Sequence, residues 1–292
     1  MKEFYITSEK NKLNVITNNN EFINKKINAI VINLHGITSH FQHIYDCEDF
    51  IEYRFNLLKK IDICSYALEF HGHGKSEGVK CLINNFDDLL TDFDNLLKYI
   101  KNKYTNTKVF VIASSMGGAV AIKYCILNKN CINGLILLSP MCGIDKSFKP
   151  NKFLVNILLG ASTYFPSLPL LPGISKKKKV VIDEYQECKF NCKYGYHGKF
   201  RLSTARECYL TSLWMEENCH KFDLPLFLIH GLNDDVTPSK SSLEFFNSCI
   251  SEDKTKYTPD TKNHTLLVPR TNDDILPKQI ISKIILWIEK RI

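Results

Sequence analysis

The chain has 292 residues, 44% hydrophobic and 24% charged, long enough to bury a substantial core in one large domain or in a core carrying an insertion. That balance excludes wholesale disorder, a collagen-like chain and a repeat array, and a formal net charge of +7 is too weak by itself to point to nucleic acid. The residues from Met1 to Asn20 lack the apolar core of a signal peptide, and the 11 cysteines are irregularly spaced. The setting read from this is cytoplasmic and reducing, with free thiols.

In chain order, the first buried-strand patterns are the apolar runs Ala29–His35 and Cys64–Phe70. A helix follows over Phe86–Tyr104, where Phe86, Leu89, Leu90, Phe93, Leu96, Leu97 and Ile100 recur at helical spacing. Its early Asp87, Asp88 and Asp92 and late Lys98, Lys101 and Lys103 complement the helix dipole. Next come a strand over Lys108–Ser114, a helical run from Ala119 to Leu127 and a strand over Ile132–Leu138. The alternation breaks between Met141 and Asp223, a stretch punctuated by proline, then basic at Lys176–Lys179, then rich in cysteine and tyrosine. Strand order resumes at Leu226–His230, and Pro277–Ile292 reads as a closing amphipathic helix with proline in its first turn.

This pattern predicts an α/β chain built on a mostly parallel, doubly wound sheet. Residues 1–140 and 224–292 form the core, and residues 141–223 form an insertion over the sheet end where such folds bind ligands. Phe153–Ile174 contains no charged residue, but three prolines in its second half rule against one membrane-crossing helix. Apolar lid or core packing accounts for the segment.

The chemistry is sharpest at Ala113-Ser114-Ser115-Met116-Gly117-Gly118, between a buried strand and a helix. A sharp strand-to-helix turn presents a nucleophile above the sheet and needs small residues two positions to either side. Centring on Ser115 puts Ala113 and Gly117 at those positions, whereas centring on Ser114 puts Met116 at one of them. Ser115 is therefore the candidate nucleophile. A serine hydroxyl needs a base, and the base needs an orienting acid. In the chain order of this architecture the acid comes next, in the loop His230–Pro238 containing Asp234 and Asp235, and then His264. The backbone N–H of Met116, and that of Ile37 in the early loop His35-Gly36-Ile37-Thr38, are the candidate oxyanion donors.

His35-Gly36-x-x-x-His40, Gly72-His73-Gly74-Lys75-Ser76-Glu77-Gly78, Ser115-Met116-Gly117-Gly118, Leu138-Ser139-Pro140, Gly231-x-x-Asp234 and His264 recur in order from Asn28 onward. The chain thereby resembles the monoacylglycerol lipase/lysophospholipase branch of the α/β-hydrolases, grouped with the serine-aminopeptidase-like hydrolases. The resemblance implies the α/β-hydrolase fold with an inserted cap over Met141–Asp223, Ser115 as nucleophile, Asp234 as acid and His264 as base. Ile37 and Met116 then supply the oxyanion hole. Asp234 is preferred to Asp235 because the family places its acid three residues after this glycine.

Departures bear on the substrate. A Glu and an Arg that help hold the glycerol head in animal monoacylglycerol lipases correspond to Ser39 and His43, and a further His expected three residues after the base is Leu267. Losing these groups weakens selection for glycerol, so the expected substrate is a lipid ester, lysophospholipid or monoacylglycerol, or another small ester. A short-chain esterase, a peptidase, an acyltransferase and a silent binding module are the alternatives. No cofactor, metal or nucleic acid is expected, since His71-x-His73 lacks further ligands nearby, and Cys188, Cys192 and His197 lack paired zinc spacing. Lys176–Lys179 beside the apolar cap segment suits peripheral contact with an anionic membrane surface.

Overall fold

The computed structural model describes residues 1–8, 11–23, 25–41, 50–143, 152–171, 192–269 and 274–292. Among these, the main sheet has eight strands: β1 Lys2–Thr7, β2 Lys12–Thr17, β3 Ala29–Leu34, β4 Ile63–Leu68, β5 Lys108–Ser114, β6 Gly134–Leu138, β9 Leu226–Ile229 and β10 Lys254–Tyr257. Their spatial order is β1-β2-β4-β3-β5-β6-β9-β10. β1 and β2 pair antiparallel, β2 joins β4 antiparallel, and every pairing from β4 across to β10 is parallel. The expected mostly parallel sheet is the one observed.

The apolar strands are buried because helices cover both faces. Along β3, Ile30, Ile32 and Leu34 face one core and Ala29 and Val31 the other, the two-residue alternation of a strand. The first core is closed by α2 Phe86–Lys103 and α3 Met116–Leu127, the second by α1 Phe50–Lys59 and α7 Leu276–Glu289. The α2 stripe read from spacing is the buried one, and Asn85 caps its start by accepting the Asp87 N–H at 3.1 Å. α3 is apolar nearly all round because it lies between the sheet, α2 and the later helix α5 Leu202–Asn218.

Three strands of the main sheet escape sequence pattern, one of them β2, whose apolar run is interrupted by Asn14. β1 is mostly exposed at the sheet edge and β10 is the lysine-bearing Lys254–Tyr257, so neither shows the apolar run of an interior strand. Between β6 and β9 the described residues hold α4 Lys152–Tyr164, the short antiparallel pair β7 Pro169–Leu171 and β8 Phe200–Arg201, and α5. α4 stops ahead of Pro166, and among the described residues no helix is long and apolar enough to cross a membrane. The start of α5 is bolted to the core by side chains. Thr204 Oγ1 accepts the Ile83 N–H at 3.0 Å and donates to the Cys81 carbonyl at 2.7 Å, and Glu207 accepts the Phe86 N–H at 2.9 Å. Lys176–Lys179, Cys188 and His43 lie outside the described residues. Helix α6 Ser239–Ser248 connects β9 to β10.

Candidate active site

All the candidate residues lie past the carboxyl ends of parallel strands: Ile37 after β3, Ser115 after β5, Asp234 after β9 and His264 after β10. Ser115 takes φ 50° and ψ −117°, a sparsely populated conformation that costs a non-glycine residue about 1–3 kcal/mol. Backbone hydrogen bonds on both sides hold it there. The Ser115 N–H donates to the Leu138 carbonyl, and the Ser115 carbonyl accepts the N–H groups of Gly118 and Met141, each at 3.0 Å. The turn also demands a bare backbone: a methyl group on Gly117 would stand 2.6 Å from the His35 carbonyl oxygen. Ser114, by contrast, is the last residue of β5 and pairs with Leu138 in the ladder.

Ser115 heads α3, so the Met116 N–H is among the first amides of that helix, which have no acceptor within it. The loop after β3 comes against the same point. A methyl group on Gly36 would lie 3.0 Å from Ser115 Cβ and 3.5 Å from its Oγ, so the residue preceding Ile37 packs against the serine.

His264 and Asp234 meet directly. His264 Nδ1 lies 2.8 Å from Asp234 Oδ2, with the carboxylate wholly buried and the imidazole side chain 15% exposed. A carboxylate only accepts, so Nδ1 carries the hydrogen and Nε2 is left to receive a proton. Asp234 Oδ1 accepts the N–H groups of Val236 at 2.8 Å and Thr237 at 3.1 Å. Burial pushes the Asp234 carboxyl up, but hydrogen bonds from His230 and His264, then the charge of His264 and the Val236 N–H, outweigh it and hold the carboxyl well below the usual carboxylate range. Asp235 is exposed. The loops bearing the two partners are stitched together, Leu232 N–H to the Pro259 carbonyl at 3.0 Å and Asn233 N–H to the Thr261 carbonyl at 3.2 Å.

Several residues near the site were not singled out by sequence. Thr237 Oγ1 lies 3.2 Å from the Ser139 carbonyl, 3.2 Å from His264 Nδ1 and 3.4 Å from Asp234 Oδ2, linking the acid loop to the turn after β6. Fully buried Glu69 accepts the Phe41 N–H at 2.9 Å, the Lys75 N–H at 2.8 Å and Asn14 Nδ2 at 3.0 Å. It thus ties the loop of Ile37 to the loop Gly72–Gly78. Gly74, at φ +53°, has no room for a side chain, since its Cβ would fall 2.1 Å from the Glu69 carboxyl carbon. The glycine-rich motif therefore shapes this loop around a buried carboxylate.

His35 is a brace. Its Nδ1–H donates to the Gly36 carbonyl at 2.8 Å, its bare Nε2 accepts the Phe70 N–H at 3.2 Å, and burial holds its pKa down to about 3. His71 is committed to Asp92, Nδ1 to Oδ2 at 2.7 Å, and among the described residues no three metal-ligating side chains gather. Leu267, where a histidine was expected, is buried in the core beneath α7. The described cysteines are free thiols.

The sequence profile of the serine aminopeptidase, S33, family of hydrolases matches residues 25–270. The chain belongs to that family. It is 26% identical over 241 residues to caffeoylshikimate esterase of Arabidopsis thaliana, covering 78% of this chain and 69% of that protein. It is 25% identical over 240 residues to the monoglyceride lipase of Rattus norvegicus, covering 81% of this chain and 76% of the relative. A soluble variant of the monoglyceride lipase of Saccharomyces cerevisiae, solved with a substrate analog, superposes with a TM-score of 0.76 at 18% identity over 99% of this chain and 94% of that one. That likeness establishes the fold alone. As a member of the S33 family, this chain is a monoglyceride-lipase-like α/β-hydrolase, an enzyme of the carboxylic ester hydrolase class.

Proposed function

We propose that this S33 hydrolase cleaves carboxylic esters of lipids through a Ser115–His264–Asp234 triad and an acyl-enzyme. The observation that carries the reading is the His264–Asp234 hydrogen bond of 2.8 Å, at the same sheet edge as the strained Ser115 turn. His264 Nε2 takes the Ser115 proton as Oγ attacks the ester carbonyl, and Asp234 stabilises the imidazolium. The N–H groups of Ile37 and Met116 receive the oxyanion. His264 then protonates the departing alcohol, afterwards takes a proton from the water that attacks the acyl-enzyme, and returns it to Ser115 Oγ as the fatty acid leaves.

The preferred substrate class is lysophospholipid or monoacylglycerol. Ser39 in place of an acidic residue and the apolar Leu267 support a site without strict glycerol selection. Residues 141–223 serve as the cap. In it Tyr164 is 81% and Phe165 62% exposed, with Leu168 and Leu170 exposed beside them, a surface suited to acyl chains or to a lipid interface. The reading is tested with purified protein given lysophosphatidylcholine, monoacylglycerol and a short nitrophenyl ester, with free fatty acid measured. Ser115→Ala should lower turnover by about 10³-fold or more and abolish labelling by a fluorophosphonate. Wild-type rates in Ser115→Ala would overturn the mechanism.

A further inference from the structure

Four residues before the acid stands a second imidazole that the triad does not use. His230 follows β9 and is fully buried. Its Nδ1 lies 2.7 Å from Ser242 Oγ, which is itself 2.8 Å from the Ser239 carbonyl at the start of α6. On the other side its Nε2 lies 3.1 Å from the Thr237 carbonyl, 3.2 Å from Asp234 Oδ2 and 3.4 Å from Thr237 Oγ1. A backbone carbonyl only accepts, so Nε2 carries the hydrogen, which lies between the Thr237 carbonyl and the Asp234 carboxylate.

We propose that His230 is a positioning residue for the acid: it supplies a second imidazole N–H to Asp234 Oδ2, the oxygen that also receives His264. The inference rests on the triad reading above. Oδ1 is already occupied by two backbone N–H groups and Oδ2 is shared between two imidazoles. Turning the carboxylate away from His264 would therefore break charge-assisted bonds on both oxygens. Ser242 fixes the far side of the His230 ring, so the N–H aimed at Oδ2 is set by α6 and does not depend on His264 or on substrate.

Two substitutions separate aim from bulk. His230→Gln keeps an amide N–H at the reach of Nε2, whereas His230→Asn keeps an amide oxygen near Ser242 and leaves nothing to reach Asp234. The titratable groups of the cluster are Asp234, His230 and His264. With Asn, kcat on a nitrophenyl ester should fall about tenfold with KM little changed, the effect of one charge-assisted hydrogen bond. The acid limb of kcat/KM should move to higher pH, because a carboxylate with one donor fewer concentrates its charge on the His264 N–H. Gln should restore most of kcat and the wild-type limb. An Asn variant with wild-type kcat and limb, or equal losses in both variants, overturns the proposal. Should the Asn variant fail to fold, Ser242→Ala leaves the ring but removes its Nδ1 partner, and an unchanged kcat and limb there overturns it equally. A wild-type protein that neither turns over ester nor takes fluorophosphonate on Ser115 is a different failure, that of the hydrolase reading itself.

Discussion

Gly117→Ala adds one methyl group at the point where α3 passes the end of β3. That methyl would sit 2.6 Å from the His35 carbonyl oxygen and 2.9 Å from both the carbonyl carbon and oxygen of Leu34, about 0.8 Å short of the 3.4 Å at which ordinary contact begins. The obstructing atoms are backbone of the last residue of a central strand paired on both sides and of the residue just past it, so β3 yields little and the start of α3 must move. Overpacking of this kind costs about 1–3 kcal/mol, which lowers Tm by about 2–5 °C in a chain of this size. The larger effect falls on turnover. Ser115 and the Met116 N–H ride on that helix start, and a displacement approaching 1 Å at a nucleophile costs about 100-fold in rate. Nitrophenyl ester kinetics and a thermal melt on the same preparation read both quantities. A Gly117→Ala protein with wild-type kcat and Tm would refute the claim that α3 is wedged against β3 at the elbow. The counterpart is Gly160→Ala, exposed in α4 with nothing within 4 Å of its Cβ, which should raise stability by about 0.5–1 kcal/mol and leave the ester rate alone.

Asp234→Asn should cut kcat by about 10⁴-fold at neutral pH, since an amide cannot hold His264 in its Nδ1–H form. Because the folded Asp234 carboxyl lies below its unfolded value, its stabilising contribution is complete above about pH 4 and is lost as pH falls below that. The gap in urea midpoint between wild type and Asp234→Asn should therefore be wide at pH 7 and narrower at pH 3. A gap that widens on acidification contradicts the assignment. His35 and His73 are both held down to about 3 by burial, so the unfolded chain binds their protons first and stability should fall as pH drops from about 6.5 toward 3. Chemical denaturation across that window in wild type and His73→Gln checks it, the variant showing the shallower decline. Glu69→Gln turns an amide N–H against one of the donors that Glu69 accepts and should cost about 1–3 kcal/mol while loosening the loop of Ile37, seen as a lower Tm together with a fall in kcat.

The interior strands β3, β4, β5, β6 and β9 and the helices α2, α3 and α7 are legible in the chain because their periodicity is local, whereas β2 and α5 are not. β3, β5 and α2 are buried on the faces their apolar residues mark, and the small residues flanking Ser115 announce a turn that the backbone angles bear out. Edge strands were not legible, since β1 and β10 need no continuous apolar run to lie at the margin of a sheet. Glu69 and His230 also escaped notice. The partners of Glu69 are brought up by other segments, Asn14 standing 55 positions away, whereas those of His230 lie 4 to 12 positions further on, where a buried polar side chain leaves no periodic trace.

The order of the parts, a serine on a strand-to-helix turn, an acid after a later strand and a histidine before the final helix, is carried by the chain itself, because each is marked by its immediate neighbours. Which acid meets the histidine, how it is gripped and which loops press on the serine were decided only in three dimensions. Asp234 and His264 are 30 positions apart and touch because β9 and β10 lie parallel, so that the loops leaving them open onto the same edge. Hydrogen bonds between distant segments depend on distance and direction in space, and no local pattern of residues encodes either one.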